Sequence, residues 1–301
     1  MIKLKKILFE RPDEIIKFSE KNISKIVKYL KNAYVFQNQL LYRRISGYNE
    51  VDAEIRDIRK DRNLRDTDEF AYEVGKAALS FYGKSVPDRR ESLYAYSTAD
   101  IDTAYGDTLT VVFPEKTCEI FYNKNVKDSY MAYNIKFLYS SVNSEYLIFT
   151  RKHKLVHLSR FLSAYQNYKK LGYIDDSSFD VIQKKILLIN FDKIKNEISI
   201  AKDIIYKMEK QIEIGKLKYE DNTVLLLEFR MLLDGIREFI NNITEYESGM
   251  EILKNKQKLP PGEFEVIIIG DEYLIADSEP FKNTFIWSNK LKTWVPKKGR
   301  V

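Results

Sequence analysis

From about Leu155 to Lys258 the chain keeps a helical apolar period, and strand-like patterning stands on both sides of that block. Within it Ile194, Ile198, Ala201, Ile205, Met208 and Ile212 recur every three or four residues, the stripe of a packed helix. Val224–Ile243 repeats the pattern after the polar break Gly215–Asn222, so the two segments read as a helical hairpin. Strands and short helices, then a long helical block, then strands again imply an α+β domain with a helical insertion. The expected boundaries are 1–150 for an N-terminal helix and the first part of the core, 151–258 for the insertion, and 259–301 for the strands that complete the core.

The outer segments carry their own signals. Residues 12–38 predict an amphipathic helix through Ile15, Ile16, Ile23, Ile26, Val27 and Leu30. Gln39–Ser46 reads as a strand stopped by Gly47, and 47–67 as a polar, charge-alternating loop or exposed helix. Asp66, Thr67 and Asp68 offer N-caps for a helix reaching about Tyr82. A strand is expected from Ser92 to Thr98 and a short helix from about Asp100 to Gly106. Thr108–Phe113 and Thr117–Tyr122 read as a strand hairpin, and Tyr146–Thr150 as a further strand. Glu265–Ile269 and Tyr273–Ala276 flank the turn Gly270-Asp271, and a strand-like tail holds Trp287 and Trp294.

Composition excludes several classes. With 44% apolar and 31% charged residues the chain has both a core and a solvated surface. Its single cysteine, Cys118, cannot form an internal disulfide and reads as a small strand residue. No apolar run approaches the ~18 residues of a membrane helix, and MIKLKKILFERPDE lacks the apolar core of a secretory signal. A cytoplasmic protein with no membrane partner is expected. His153 and His157 stand four apart without an accompanying carboxylate ligand pattern, so no metal is expected. Neither GxGxxG, a P-loop nor GxSxG occurs. The net charge of +6 and the clusters Arg151-Lys152-Lys154 and Lys297-Lys298-Arg300 lean towards an anionic partner such as nucleic acid, and also suit plain solvated surface.

Three strand-borne motifs remain. Leu41-Tyr42-Arg43-Arg44-Ile45 places arginine on a short apolar strand; Ser97-Thr98-Ala99 closes LYAYSTA; Glu263-Phe264-Glu265 opens the strand after Pro260-Pro261-Gly262. Arginine, then Ser-Thr, then Glu-x-Glu, in that order, resembles the R-S-E class of ADP-ribosyltransferases, including phage and bacterial toxin or defence-type members. The likeness covers roughly 40–125 and 260–277, and it implies a split, strongly curved pair of β-sheets with NAD⁺ in the cleft. On that resemblance Glu265 stabilises the oxocarbenium-like state as nicotinamide leaves, and Glu263 positions or deprotonates the acceptor. Arg43 grips the pyrophosphate or ribose through its planar fork. Arg44 points to the opposite face and is the alternative. Ser97 and Thr98 support the catalytic carboxylate, Ala99 standing where the family has a third hydroxyl. Arg65 and Arg89 are candidates for phosphate contacts, and Tyr94 or Tyr105 for stacking on nicotinamide.

The function so implied is mono-ADP-ribosylation of a macromolecule with NAD⁺ as substrate. The basic balance leans the acceptor towards RNA or DNA, in a toxin, toxin–antitoxin or antiviral-defence setting. A phage enzyme modifying host proteins is the alternative. A NAD⁺ glycohydrolase and a non-catalytic protein that binds a partner, such as an antitoxin or regulatory protein, through its helical hairpin are the others.

Overall fold

A computed structural model describes residues 18–46, 53–60, 69–81, 91–102, 106–125, 132–135, 142–171, 176–214 and 222–297. The chain divides into two units. One comprises 1–62, 87–127 and 251–301; the other comprises 63–86 and 128–250. The first is mostly β and the second helical. The helical unit begins earlier than residue 151 and takes in the helix that precedes the motif strand.

The β unit holds α1 (Glu20–Leu30), β1 (Leu41–Ile45), β2 (Glu54–Asp57), β3 (Ser92–Tyr96), β4 (Thr108–Pro114), β5 (Glu119–Tyr122), β6 (Glu251–Ile252), β7 (Glu265–Ile269) and β8 (Glu272–Asp277). All these strands join one antiparallel sheet in the order β2-β8-β4-β1-β3-β7-β5-β6. A helix (Ser278–Thr284) and a separate strand pair, Phe285–Ser288 with Thr293–Pro296, complete the unit.

Connection lengths force this sheet to curl. Only Gly270 and Asp271 join β7 to β8, yet β4, β1 and β3 stand between them in the hydrogen-bonding order. A flat sheet would separate those strands by roughly 19 Å at ~4.8 Å per step, whereas the connection spans at most ~11 Å. The strand ends must therefore bend towards one another. At their meeting point a Cβ on Gly270 would lie 2.3 Å from Cys118 Sγ, so the closure demands glycine. Gly270-Asp271 is thus a turn without a hairpin, because β7 and β8 pair with other strands.

The expected β4–β5 hairpin does not form. The Glu115 N–H donates to Glu272 O and the Lys116 N–H to Asn32 O, turning the chain away from β4. Residues 119–122 then pair with β6 and β7. Cys118 lies just before β5, buried, and burial first and the Glu115 carboxylate second push its thiol up to about 11. We expect native protein to resist Ellman's reagent at pH 8 and to titrate one thiol once unfolded in guanidinium. Rapid reaction of the native protein would contradict this packing.

Each face of the sheet has its core. Leu41, Ile45, Leu93, Ala95, Val112, Val266 and Ile268 share one cluster with Phe264 and Leu259. On the other face Val111, Phe113, Leu274 and Ala276 pack with Ile26 and Leu30 of α1, with Phe281, and with Trp287 and Trp294. Ser19 caps α1, its hydroxyl accepting from the Asn22 N–H at 3.3 Å. The charged stretch after 47 contains the edge strand β2, in place of the expected loop or helix; its exposed, charge-rich pattern suits a sheet edge.

In the helical unit, α2 (Glu69–Phe81), α3 (Ser144–Lys152), α4 (Val156–Leu171), α5 (Asp176–Leu187), α6 (Phe191–Glu213) and α7 (Asn222–Ser248) follow in sequence. Tyr146–Thr150 is helical, not a strand. Asn143 caps α3 at the Glu145 N–H, and Tyr146 stacks on Phe229 at 4.5 Å. The expected α6 stripe faces inward, with Ile194, Ile198, Ala201 and Ile205 fully buried. His153 ends α3 and His157 lies on α4, so they do not share a helix.

The Asn190 N–H donates to His157 Nδ1 at 3.1 Å, while the Asn190 side chain caps α6. That bond needs the neutral ring, and burial lowers the His157 pKa. The unfolded chain binds this proton more readily, so the contribution is intact above the unfolded value near 6.5 and is lost as pH falls from there through the lowered folded value. Thermal melts should show a decline below about pH 6.5 that His157→Gln flattens. Parallel melts of both proteins would contradict this assignment. Among the described residues no helix is long and apolar enough to cross a membrane.

Candidate active site

The strands that carry arginine, Ser-Thr and Glu-x-Glu lie side by side as β1-β3-β7. Between β3 and β7 five residue pairs are in register, ending with Tyr96 opposite Glu265. Between β1 and β3 there is one, Tyr42 opposite Tyr96. The ladder is long on either side of this seam and shortest at it.

Arg43 ties the seam across: its Nη1 donates to Tyr94 O of β3 at 2.6 Å. Strand alternation places Arg43 on the face of Leu41 and Ile45, and Arg44 on the other face with Tyr42, Tyr96 and Glu265. Arg44 Nε donates to Ile101 O at 2.8 Å, and its Nη1 lies 3.4 Å from both Gly106 O and Asp107 O. These bonds hold the guanidinium against Ile101, Gly106 and Asp107 and leave Nη2 without a partner among the described residues.

Ser97 is the hinge pin of the site. Its Oγ accepts from the Phe264 N–H and donates to Gly262 O, both at 3.0 Å. Its own N–H donates to Phe264 O at 3.0 Å. The hydroxyl thus grips the backbone that leads into β7, and fixes Glu265 through the chain. Thr98 is half-buried, and the Ser97-Thr98 pair lies on a bend. Residues 100–102 are not helical, in contrast to the expected short helix.

The two glutamates differ in setting. Glu265 is 4% exposed in the first position of β7. Glu263 precedes the strand, outside the ladder and exposed. One position beyond the Tyr122–Val266 pair, the register brings buried Asn123 opposite Glu265. Its Oδ1 accepts from the Asn125 N–H at 2.9 Å. Nothing in the local sequence singles out Asn123, because it does not reveal which strand β5 pairs with. Arg65, Arg89 and Tyr105 lie outside the described residues. Among the described residues no group of three or more His, Cys, Asp or Glu side chains is placed to hold a metal.

Compared with known proteins, the chain matches no family model, no curated protein and no solved structure.

Proposed function

We propose that this protein is a mono-ADP-ribosyltransferase that cleaves NAD⁺ at the nicotinamide–ribose bond and passes ADP-ribose to a macromolecule. The observation that carries the proposal is the adjacency of the three motif strands, with Ser97 fastening the backbone that delivers Glu265. The short ladder between β1 and β3 is where a cleft of the kind the R-S-E resemblance implies would lie.

In this reading Glu265 supplies a fixed, largely desolvated negative charge beside the ribose. As the C1′–N bond breaks, nicotinamide leaves with the bonding electrons and positive charge develops on the ribose, where a pre-set carboxylate is most effective. The acceptor's nucleophilic atom then bonds to C1′, and Glu263, exposed at the entrance, takes the proton it releases. Arg44, on Glu265's face, holds the dinucleotide phosphates. Arg43 keeps the seam in shape.

The acceptor favoured is nucleic acid. The net charge of +6 supports this, as does an open groove of about 430 Å³ in the helical unit, lined by Lys195, Asn196, Ser199, Arg237 and Asn241 without a carboxylate. The test is incubation with adenylate-labelled NAD⁺ and cell lysate, followed by protease or by RNase and DNase. Label that survives protease and yields to nuclease supports this acceptor class, and the reverse reassigns it to protein.

A second reading has its own support. Leu227 and Met231, four apart on α7, are 55% and 67% exposed, and Tyr206 on α6 and Ile214 at its C-cap are also exposed. Such an apolar helical surface fits a partner chain, such as an antitoxin or regulatory protein. If Glu265→Gln keeps every cellular effect of the wild type, partner binding is the working activity.

A further inference from the structure

Away from the motif strands, a cavity of about 370 Å³ lies between α1, residues 31–35 and 255–256, and the strand pair ending at Pro296. That volume is in the range of small-ligand sites, roughly 300–1,000 Å³. Its apolar lining includes Leu30, Val35, Trp294 and the half-buried Val27 and Val295.

The polar side chains of the lining are dominated by lysine: Lys31, Lys116, Lys256 and Lys292 are all exposed around it, and among the described residues no carboxylate lines it. None of these lysines makes an ion pair among the described residues. Asn255 uses its Oδ1 to accept from the Val35 N–H at 3.0 Å, so its amide nitrogen is the end left for a ligand.

The backbone is shaped here as well. Lys256 and Lys292 adopt φ of 64° and 51°, a left-handed conformation that costs a side-chain-bearing residue energy. The Lys256 N–H donates to Val35 O and the Lys292 N–H to Ser288 O, both at 2.8 Å, which pins each in that conformation. Two lysines held in a left-handed conformation, two more lysines and the Asn255 amide surround one apolar cavity and make a built site.

We propose that this cavity binds a small amphipathic organic anion, with an apolar body against Leu30, Val27 and Val295 and a carboxylate or phosphate among the lysines. The site is independent of the motif strands, and the proposal does not rest on the enzymatic reading.

Calorimetric titration of the full chain with decanoate and, separately, decyl phosphate tests it and distinguishes the two head groups. Saturable one-site binding of either is expected, with inorganic phosphate neither binding nor competing. Lys256→Asn with Lys292→Asn removes two charges while keeping residues that tolerate a left-handed backbone, and should weaken binding at least tenfold with Tm unchanged. Lys116→Glu, on exposed surface, should weaken binding independently if the double variant folds poorly. Absence of saturable binding by both amphiphiles overturns the proposal. So do affinities unchanged in these variants, equal competition by inorganic phosphate, or displacement by a short RNA at equal charge concentration.

Discussion

Glu265→Gln is expected to lower NAD⁺-dependent transfer by about a thousandfold, or ~4 kcal/mol of transition-state stabilisation. The residue occupies the first rung of β7, opposite Tyr96 and 4% exposed. Glutamine keeps the shape and the acceptor oxygen and removes only the charge, so the melting temperature should stay close to wild type. Loss of turnover at unchanged stability would place the charge itself in the reaction. Glu263→Gln should cost less, because Glu263 is exposed and outside the ladder. It should affect transfer to an acceptor more than slow hydrolysis of NAD⁺. Equal turnover by wild type and Glu265→Gln would remove Glu265 from the chemistry.

Gly106→Ala should be strongly destabilising. Gly106 has φ of 144°, and an added Cβ would sit 2.4 Å from the Ile45 carbonyl carbon, 2.6 Å from its oxygen and 2.7 Å from its nitrogen. These are backbone atoms of β1 and cannot rotate away. Overpacking and strained dihedrals together cost about 3 kcal/mol or more, a fall in Tm of roughly 10 °C. The same variant disturbs the carbonyl beside Arg44 Nη1, so transfer should drop even well below the melting temperature. Gly262→Ala is the control: its φ is 114°, but an added Cβ meets nothing within 4 Å. Dihedral strain alone then costs ~1 kcal/mol. Equal stability losses in the two variants would contradict the close packing of Gly106 on Ile45.

The difference between these glycines shows which parts of the fold the sequence carries openly. Local periodicity marks elements whose burial repeats along the chain. Ile194, Ile198, Ala201 and Ile205 reveal α6, and the apolar run after Glu265 reveals β7. It carries little about which strand lies beside which. Thr117–Tyr122 looks like the partner of Thr108–Phe113 because the two are near in sequence. Hydrogen bonds from Glu115 and Lys116 to Glu272 and Asn32 send the chain elsewhere. Tyr146–Thr150 is rich in strand formers, yet the Asn143 cap and the stack on Phe229 make it a helix. Edge strand β2 is hidden among charges because nothing buries its pattern.

The candidate site was legible to the extent that it consists of short motifs. Arg43-Arg44, Ser97 and Glu265 are visible in the chain. Their faces depend on register, and it is the pairing of Tyr42 with Tyr96 and of Tyr96 with Glu265 that groups Arg44 with the glutamate. Ser97's grip on Gly262 and Phe264 links residues more than 160 positions apart, and no local pattern announces it. The lysine-ringed cavity is likewise assembled from four separate stretches of chain.

The most direct measurement is the release of nicotinamide from NAD⁺ by the purified full chain in cell lysate, with ADP-ribose followed in the same samples. Nicotinamide and macromolecule-bound ADP-ribose are expected to form together, with bound ADP-ribose the main product, and both should fall about a thousandfold with Glu265→Gln. NAD⁺ left intact by well-folded protein across all lysate fractions would contradict it.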